Sequence, residues 1–254
     1  MLTAITRQVS PSINQCELTY LERQPIDFEL AQDQHEKYED VLHSLGMRVI
    51  SLTAEADLPD SVFVEDTAIV LDEVAVITRP GADSRKPEIF SIANTLSSFR
   101  KLDYIKAPAS LDGGDVLVIG KTIFIGFSSR SNYLALEQMR YILSPYGYTI
   151  KGVETSGCLH LKSAVTQVAE KTILINPDWI DKNNFPEMDY IKINASEPFS
   201  ANVLLIGKSV IFPDAFPNTR KRLQAAGITV IPVSVSELAK AEGGVTCCSL
   251  IFKS

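Results

Sequence analysis

The chain has 254 residues, with 24 Lys and Arg against 31 Asp and Glu, a formal net charge of −7, and apolar residues make up 45%. That composition belongs to an ordinary globular chain able to bury a large core without staples, and it excludes a disordered or fibrous one. No basic cluster suits nucleic acid, and no apolar run approaches the roughly 18 residues of a membrane span. The start lacks an export signal, so the four cysteines read as reduced thiols of a cytoplasmic protein.

In chain order, Leu2–Arg7 reads as a strand. Leu30, Tyr38, Val41, Leu42 and Leu45 then form a helical stripe that stops at Gly46, and Arg48–Leu52 is a second strand. The next unit offers strands Thr67–Leu71 and Val74–Thr78, a helical stripe from Ile89 to Phe99, and strand Asp103–Ala107. Val116–Gly120, Thr122–Gly126, the stripe Leu134–Ile142 and Tyr148–Gly152 repeat that order. Ala164–Val168, Thr172–Asn176 and Tyr190–Asn194 repeat it again, although Asp178–Met188 is short and interrupted by proline where a helix is due. Val203–Gly207, Ser209–Pro213, the helix Asn218–Ala226 stopped by Gly227, and Thr229–Val233 make a further unit. The last strand, Cys248–Phe252, meets the end of the chain, and Leu2–Arg7 is the strand available to complete its unit and remove an exposed edge.

The pattern predicts five strand–strand–strand–helix units around a pseudo-fivefold axis, with residues 1–254 as one domain. A doubly wound sheet also alternates strands and helices, but three consecutive strands per helix count against parallel crossovers. In such a ring, equivalent positions face one axis. Asp66, Asp112, His160, Asn202 and Cys247 stand at or just before the second-series strands, spaced 46, 48, 42 and 45 residues apart, and Asp115 accompanies Asp112.

Buried polar groups are costly unless paired, so an axial set of acid, imidazole and thiol points to chemistry. A thiol beside an imidazole is a nucleophilic pair, and a carboxylate on the other ring nitrogen orients it. Cys247, His160 and Asp112 supply those roles. Asp60, Glu65 and Asp66 add anions that imply a cationic substrate. Plainer readings exist for each group. Cys247 reads equally as a small buried hydrophobe, and Cys248, on the opposite face of a strand, as a core residue. His35 and His43 lie on a polar-rich helix and read as solvated. Cys158-Leu-His160 with Cys247 lacks the close Cys-x-x-Cys pairs of a structural zinc site. Gly113-Gly114 and Gly243-Gly244 read as turn glycines or points of close backbone approach. Arg85 and Arg130 read as surface arginines.

Seven short motifs, in order along essentially the whole chain, make a larger pattern: Asp60-Ser-Val-Phe-Val-Glu-Asp66, Thr78-Arg-Pro-Gly-Ala-Asp-Ser-Arg85, Leu111-Asp-Gly-Gly-Asp-Val-Leu117, Ser128-Ser-Arg-Ser-Asn132, Leu159-His-Leu-Lys-Ser163, Ser200-Ala-Asn202 and Thr246-Cys-Cys-Ser249. Together they resemble the dimethylarginine dimethylaminohydrolase family of the guanidine-modifying (pentein) superfamily. The resemblance implies a five-bladed α/β-propeller that hydrolyses Nω-methylated arginines to citrulline and a methylamine, with no metal or organic cofactor. It implies Cys247 as nucleophile, His160 as the proton donor and acceptor, and Asp112 as the group that orients His160. Asp66, with Glu65 and Asp60, would hold the cationic end of the substrate, and Arg85 and Arg130 its carboxylate. Leu18 matches a lid position and the backbone of Ala241 another contact. The partner implied is a small-molecule methylated arginine, with a homodimer left open. Arginine deiminases resemble the same pattern but carry Asp two residues after the catalytic histidine, where this chain has Lys162, which favours the methylated substrate. Hydrolysis of arginine, citrulline or a related compound, and a non-catalytic binding ring, are the alternatives. A cation nearby, His160 or the substrate, is expected to raise the nucleophilic fraction of Cys247.

Overall fold

A computed structural model describes residues 1–254. Its strands and helices run β1 (Leu2–Arg7), α1 (Phe28–Ser44), β2 (Arg48–Leu52); β3 (Ala68–Val70), β4 (Val74–Ile77), α2 (Ile89–Leu96), β5 (Lys101–Tyr104); β6 (Val116–Ile119), β7 (Thr122–Phe127), α3 (Tyr133–Leu143), β8 (Thr149–Glu154). They continue with α4 (Leu161–Ala164), β9 (Val165–Ala169), β10 (Thr172–Ile175), β11 (Asp189–Lys192); β12 (Leu204–Ile206), β13 (Ser209–Pro213), α5 (Pro217–Ala225), β14 (Thr229–Val233); α6 (Ser236–Ala239) and β15 (Leu250–Lys253).

The strands form five three-stranded sheets: β3-β4-β5, β6-β7-β8, β9-β10-β11, β12-β13-β14 and β15-β1-β2. In each, the central strand runs antiparallel to the first and parallel to the third. The fold is a five-bladed α/β-propeller, and its last blade is assembled from both ends of the chain, β1 filling the central place. Central strands are buried on both faces, so β4 reads Val-Ala-Val-Ile without alternation, whereas the outer strand β5 is exposed at Lys101 and Tyr104. Five apolar clusters make up the core; the largest includes residues from α1, α6, β13 and β14. No helix is long and apolar enough to cross a membrane.

Two departures from the sequence reading have physical causes. His35 is buried rather than solvated, because α1 turns Ala31, Gln34, His35, Tyr38 and Leu42 inward; its ring stacks on Tyr38 at 6.0 Å between centroids and its Nε2 lies 3.4 Å from Glu39. The third blade has a single turn at Lys182–Asn184 in place of a crossover helix, in line with the short, proline-interrupted segment there. The second-series strands β3, β9, β12 and β15 begin one or two residues later than expected; Asp66 lies in the helical turn Val64–Thr67, while Asp112 and His160 stand, extended, just before the turns Gly113–Asp115 and α4. Cys248 therefore owes its burial to the turn before β15 and not to strand alternation.

Those turns hold one another in a closed circuit. The Gly114 N–H donates to Asp66 Oδ1 at 2.8 Å, the Leu161 N–H to Asp115 Oδ1 at 2.9 Å, and Asn202 Nδ2 to the Lys162 carbonyl at 3.1 Å. The Thr246 N–H donates to Asn202 Oδ1 at 3.1 Å, and the Glu65 N–H to the Cys247 carbonyl at 3.1 Å. Each blade thus fixes the next at the axis, and the fifth fixes the first.

Candidate active site

Cys247 and His160, on turns from different blades, line both openings near the axis. One is a cavity of about 280 Å³ whose polar wall includes Glu65, Lys162, Asn202 and Gly114. The other is a narrow cleft walled by Asp60, Asp66, Arg85, Arg130 and Ala241. Asp112 is fully buried behind the imidazole. Its Oδ2 lies 3.1 Å from His160 Nε2 and its Oδ1 accepts the Gly81 N–H at 2.8 Å, so the ring is held by one nitrogen. The other, Nδ1, lies 4.0 Å from Asp66 Oδ1. Burial alone would lower the basicity of His160; Asp66, the Asp112 hydrogen bond and Asp115 outweigh it and raise the pKa to about 9. His160 is therefore an imidazolium at neutral pH.

The thiol behaves oppositely. Burial, reinforced by Glu65 and Asp66, pushes Cys247 up to about 12, against the weaker pull of the Gly244 N–H on Sγ at 3.3 Å. The expectation that His160 would itself enrich the thiolate is not met, because burial, with Glu65 and Asp66 beside it, outweighs the downward pull of the Gly244 N–H and of Lys162. Asp66 stays ionised, held near 2 despite burial by His160 and Arg85.

The two arginines differ. Arg85 bonds Asp66 at 2.7 Å and Glu88 at 2.8 Å and reaches the carbonyl of Phe63, so its fork is engaged inside the protein. Arg130 places Nη2 3.0 Å from Thr19 Oγ1 on the loop that carries Leu18. Leu18 itself packs partly buried against the largest apolar cluster rather than lining either opening. Lys162, two residues after His160, bonds Glu65 at 2.5 Å, and Thr246 Oγ1 donates to the same carboxylate at 2.7 Å. Asp115, buried and raised in pKa by that burial, accepts from Ser128 at 2.6 Å as well as from Leu161, and so fixes the turn that presents His160.

Asp66, Asp112 and His160 offer atoms within 4.8 Å of one another, as metal ligands do. A ring protonated up to about pH 9 is a poor ligand, and Gly114, Arg85 and Gly81 already occupy the carboxylates. The set suits a proton better than a metal.

The chain matches, over residues 5–252, the family model described as N,N dimethylarginine dimethylhydrolase, eukaryotic. It belongs to that family. It is 34% identical over 228 residues to the N(G),N(G)-dimethylarginine dimethylaminohydrolase of Pseudomonas aeruginosa, covering 89% of this chain and 90% of the relative. It is also 34% identical over 249 residues to the protein of the same name from Streptomyces coelicolor, covering 97% and 95%. The solved structure of the Pseudomonas enzyme, a Cys-to-Ser mutant complexed with citrulline, superimposes with a TM-score of 0.94 at 32% identity and 98% coverage of both chains. The dimethylarginine dimethylaminohydrolase family thus accounts for the motif order, and the propeller for their convergence. Glu88, Thr246 and Glu242 carry structural parts at this site for which the spacing held no sign, whereas Asp115 was legible beside Asp112.

Proposed function

We propose that the protein hydrolyses Nω-methylated arginines to citrulline and dimethylamine or methylamine, as one catalytic domain in the cytoplasm. The observation that carries this reading is that Cys247 and His160 line the same cleft as Asp66 and Arg130, so that a thiol and a proton donor share it with an anion and a cation. A zwitterionic amino acid with a cationic side chain fits that order of charges. The citrulline complex of the Pseudomonas relative supports the product.

Binding of the guanidinium beside Cys247 stabilises the thiolate, and the thiol proton leaves to solvent. The sulfur attacks the guanidinium carbon while the imidazolium of His160 gives its proton to the departing amine, and the C–N bond breaks. Neutral His160 then takes a proton from water as the water oxygen attacks the thiouronium carbon. The C–S bond breaks as the hydroxyl proton passes to the departing sulfur, which restores the Cys247 thiol, and citrulline is released. Asp112 keeps the imidazole aimed through both steps. Arg130 leads recognition of the substrate carboxylate and Arg85, tied to Asp66, supports it through charge. Lys162 neutralises Glu65, which weakens the grip on an unmethylated guanidinium and favours the methylated one.

The test is mass spectrometry after incubation with asymmetric dimethylarginine: citrulline and dimethylamine are expected from the native chain and none from Cys247→Ser. Undiminished turnover in that variant refutes the assignment, and ammonia in place of dimethylamine identifies a deiminase.

A further inference from the structure

The loop Cys16–Leu21 has no regular structure and lies across the openings, with Tyr20 and Leu21 on the cavity wall and Glu17 on the cleft. A loop so exposed needs tethers to stay closed. Glu17 offers its N–H to Asp60 Oδ2 at 3.0 Å, and Thr19 Oγ1 accepts from Arg130. Both of those partners belong to the groups that would bind substrate, Asp60 at its cationic end and Arg130 at its carboxylate. A substrate therefore competes with the loop for them.

One tether lies outside that competition. The carboxylate of Glu242 accepts three successive loop amides: Thr19 N–H at 3.1 Å, Tyr20 N–H at 2.5 Å and Leu21 N–H at 2.6 Å. Successive amides turned toward one point make an anion nest, and an ionised acceptor makes each hydrogen bond stronger. Glu242 follows Ala241 and lines both openings. It is also the sole non-glycine residue of the chain with positive φ, +59°. Only glycine adopts that conformation without steric cost, and glycine fills the next two positions. A glutamate here carries backbone strain that the turn does not require, and the side chain is what that strain holds in place.

We propose that Glu242 is the positioning residue that latches the substrate lid, keeping Cys16–Leu21 closed while Asp60 and Arg130 exchange the loop for the substrate. The latch rests on the proposed hydrolysis for its kinetic consequence, but not for its structural one.

Three variants separate a latch from a turn residue. Glu242→Ala raises KM for asymmetric dimethylarginine about tenfold, the loss expected of a charge-assisted set at a half-buried site, and leaves kcat nearly unchanged. Glu242→Gln, which keeps a carbonyl oxygen for Tyr20 and Leu21, recovers part of the KM. Glu242→Gly relaxes the backbone yet loses the carboxylate, so it matches the alanine variant in KM although its thermal stability equals or exceeds the native value. Amide hydrogen exchange, read without substrate, shows lost protection at Thr19, Tyr20 and Leu21 in the alanine and glycine variants alone. Native KM and native lid protection in Glu242→Gly overturn the latch. A native chain that is inactive on methylarginines while the exchange pattern holds overturns the hydrolysis instead.

Discussion

Cys247 and His160 are each protonated in the resting protein, the thiol because it is buried beside Glu65 and Asp66 and the imidazole because Asp66, Asp112 and Asp115 face it. Asp66 acts on both, adding to the burial that pushes the sulfur up and overcoming the burial that would push the ring down. A folded-state thiol pKa of about 12 leaves the thiolate fraction rising with pH across the whole neutral range. Alkylation of Cys247 by iodoacetamide is accordingly expected to accelerate about tenfold per pH unit from pH 7 to 9, in the absence of substrate. A rate that levels off near neutrality would show a stable thiolate and remove the need for substrate charge in the first step. Asp60 and Arg85 illustrate the limits of single residues: each was recognisable as a polar group near the axis, but that Arg85 binds Glu88 and Asp66 depends on a contact across the turn before α2 that no spacing displays.

The short turns before the inner strands are the elements that place the chemistry, and Gly114 shows why their composition is strict. A Cβ at that position would stand 2.5 Å from His160 Nδ1 and 2.7 Å from its Cγ, closer than any side chain tolerates. Gly114→Ala must therefore displace the imidazole from Asp112. Misplacement of a catalytic group by about 1 Å costs on the order of a hundredfold, so kcat should fall by that factor or more while the melting temperature drops only modestly. A variant with native kcat would mean that the ring does not need to lie against this turn. The strand elements were legible in the sequence because apolar triplets recur with tight polar turns between them, and the observed sheets keep that order. The turns were less so: a run such as Glu65-Asp66-Thr67 leading into Ala68 reads as the start of a strand until the carboxylates are seen to need backbone amides from the neighbouring blade. The burial of His35 is hidden in the sequence for a related reason, since charged neighbours on α1 mask the face that packs inward.

At the scale of the molecule, the blade built from both termini carries Cys247, the proposed nucleophile, so its integrity decides whether the axis closes. In the other four blades the two inner strands are joined by two-residue turns, at Asp72-Glu73, Gly120-Lys121, Glu170-Lys171 and Gly207-Lys208. In the fifth, β15 and β1 pair antiparallel with Leu2 opposite Lys253, and the Ser254 N–H donates to the Met1 carbonyl at 2.9 Å. The chain break thus sits where a hairpin turn would be. Joining Ser254 to Met1 through Asn-Gly, a pair suited to a two-residue hairpin, and opening the chain between Gly207 and Lys208 moves the break to the equivalent point one blade away. The five blades and the circuit of axial hydrogen bonds are unchanged by that exchange. The permuted chain is expected to melt in one cooperative transition and to release citrulline at the native rate. Removal of Leu250–Ser254 instead strips the inner strand from the fifth blade, leaves Cys247 without the strand that follows it, and should abolish folding and turnover together. A permuted protein that folds but does not turn over would mean that the terminal blade is not equivalent to the other four and that the Cys247 turn depends on free ends.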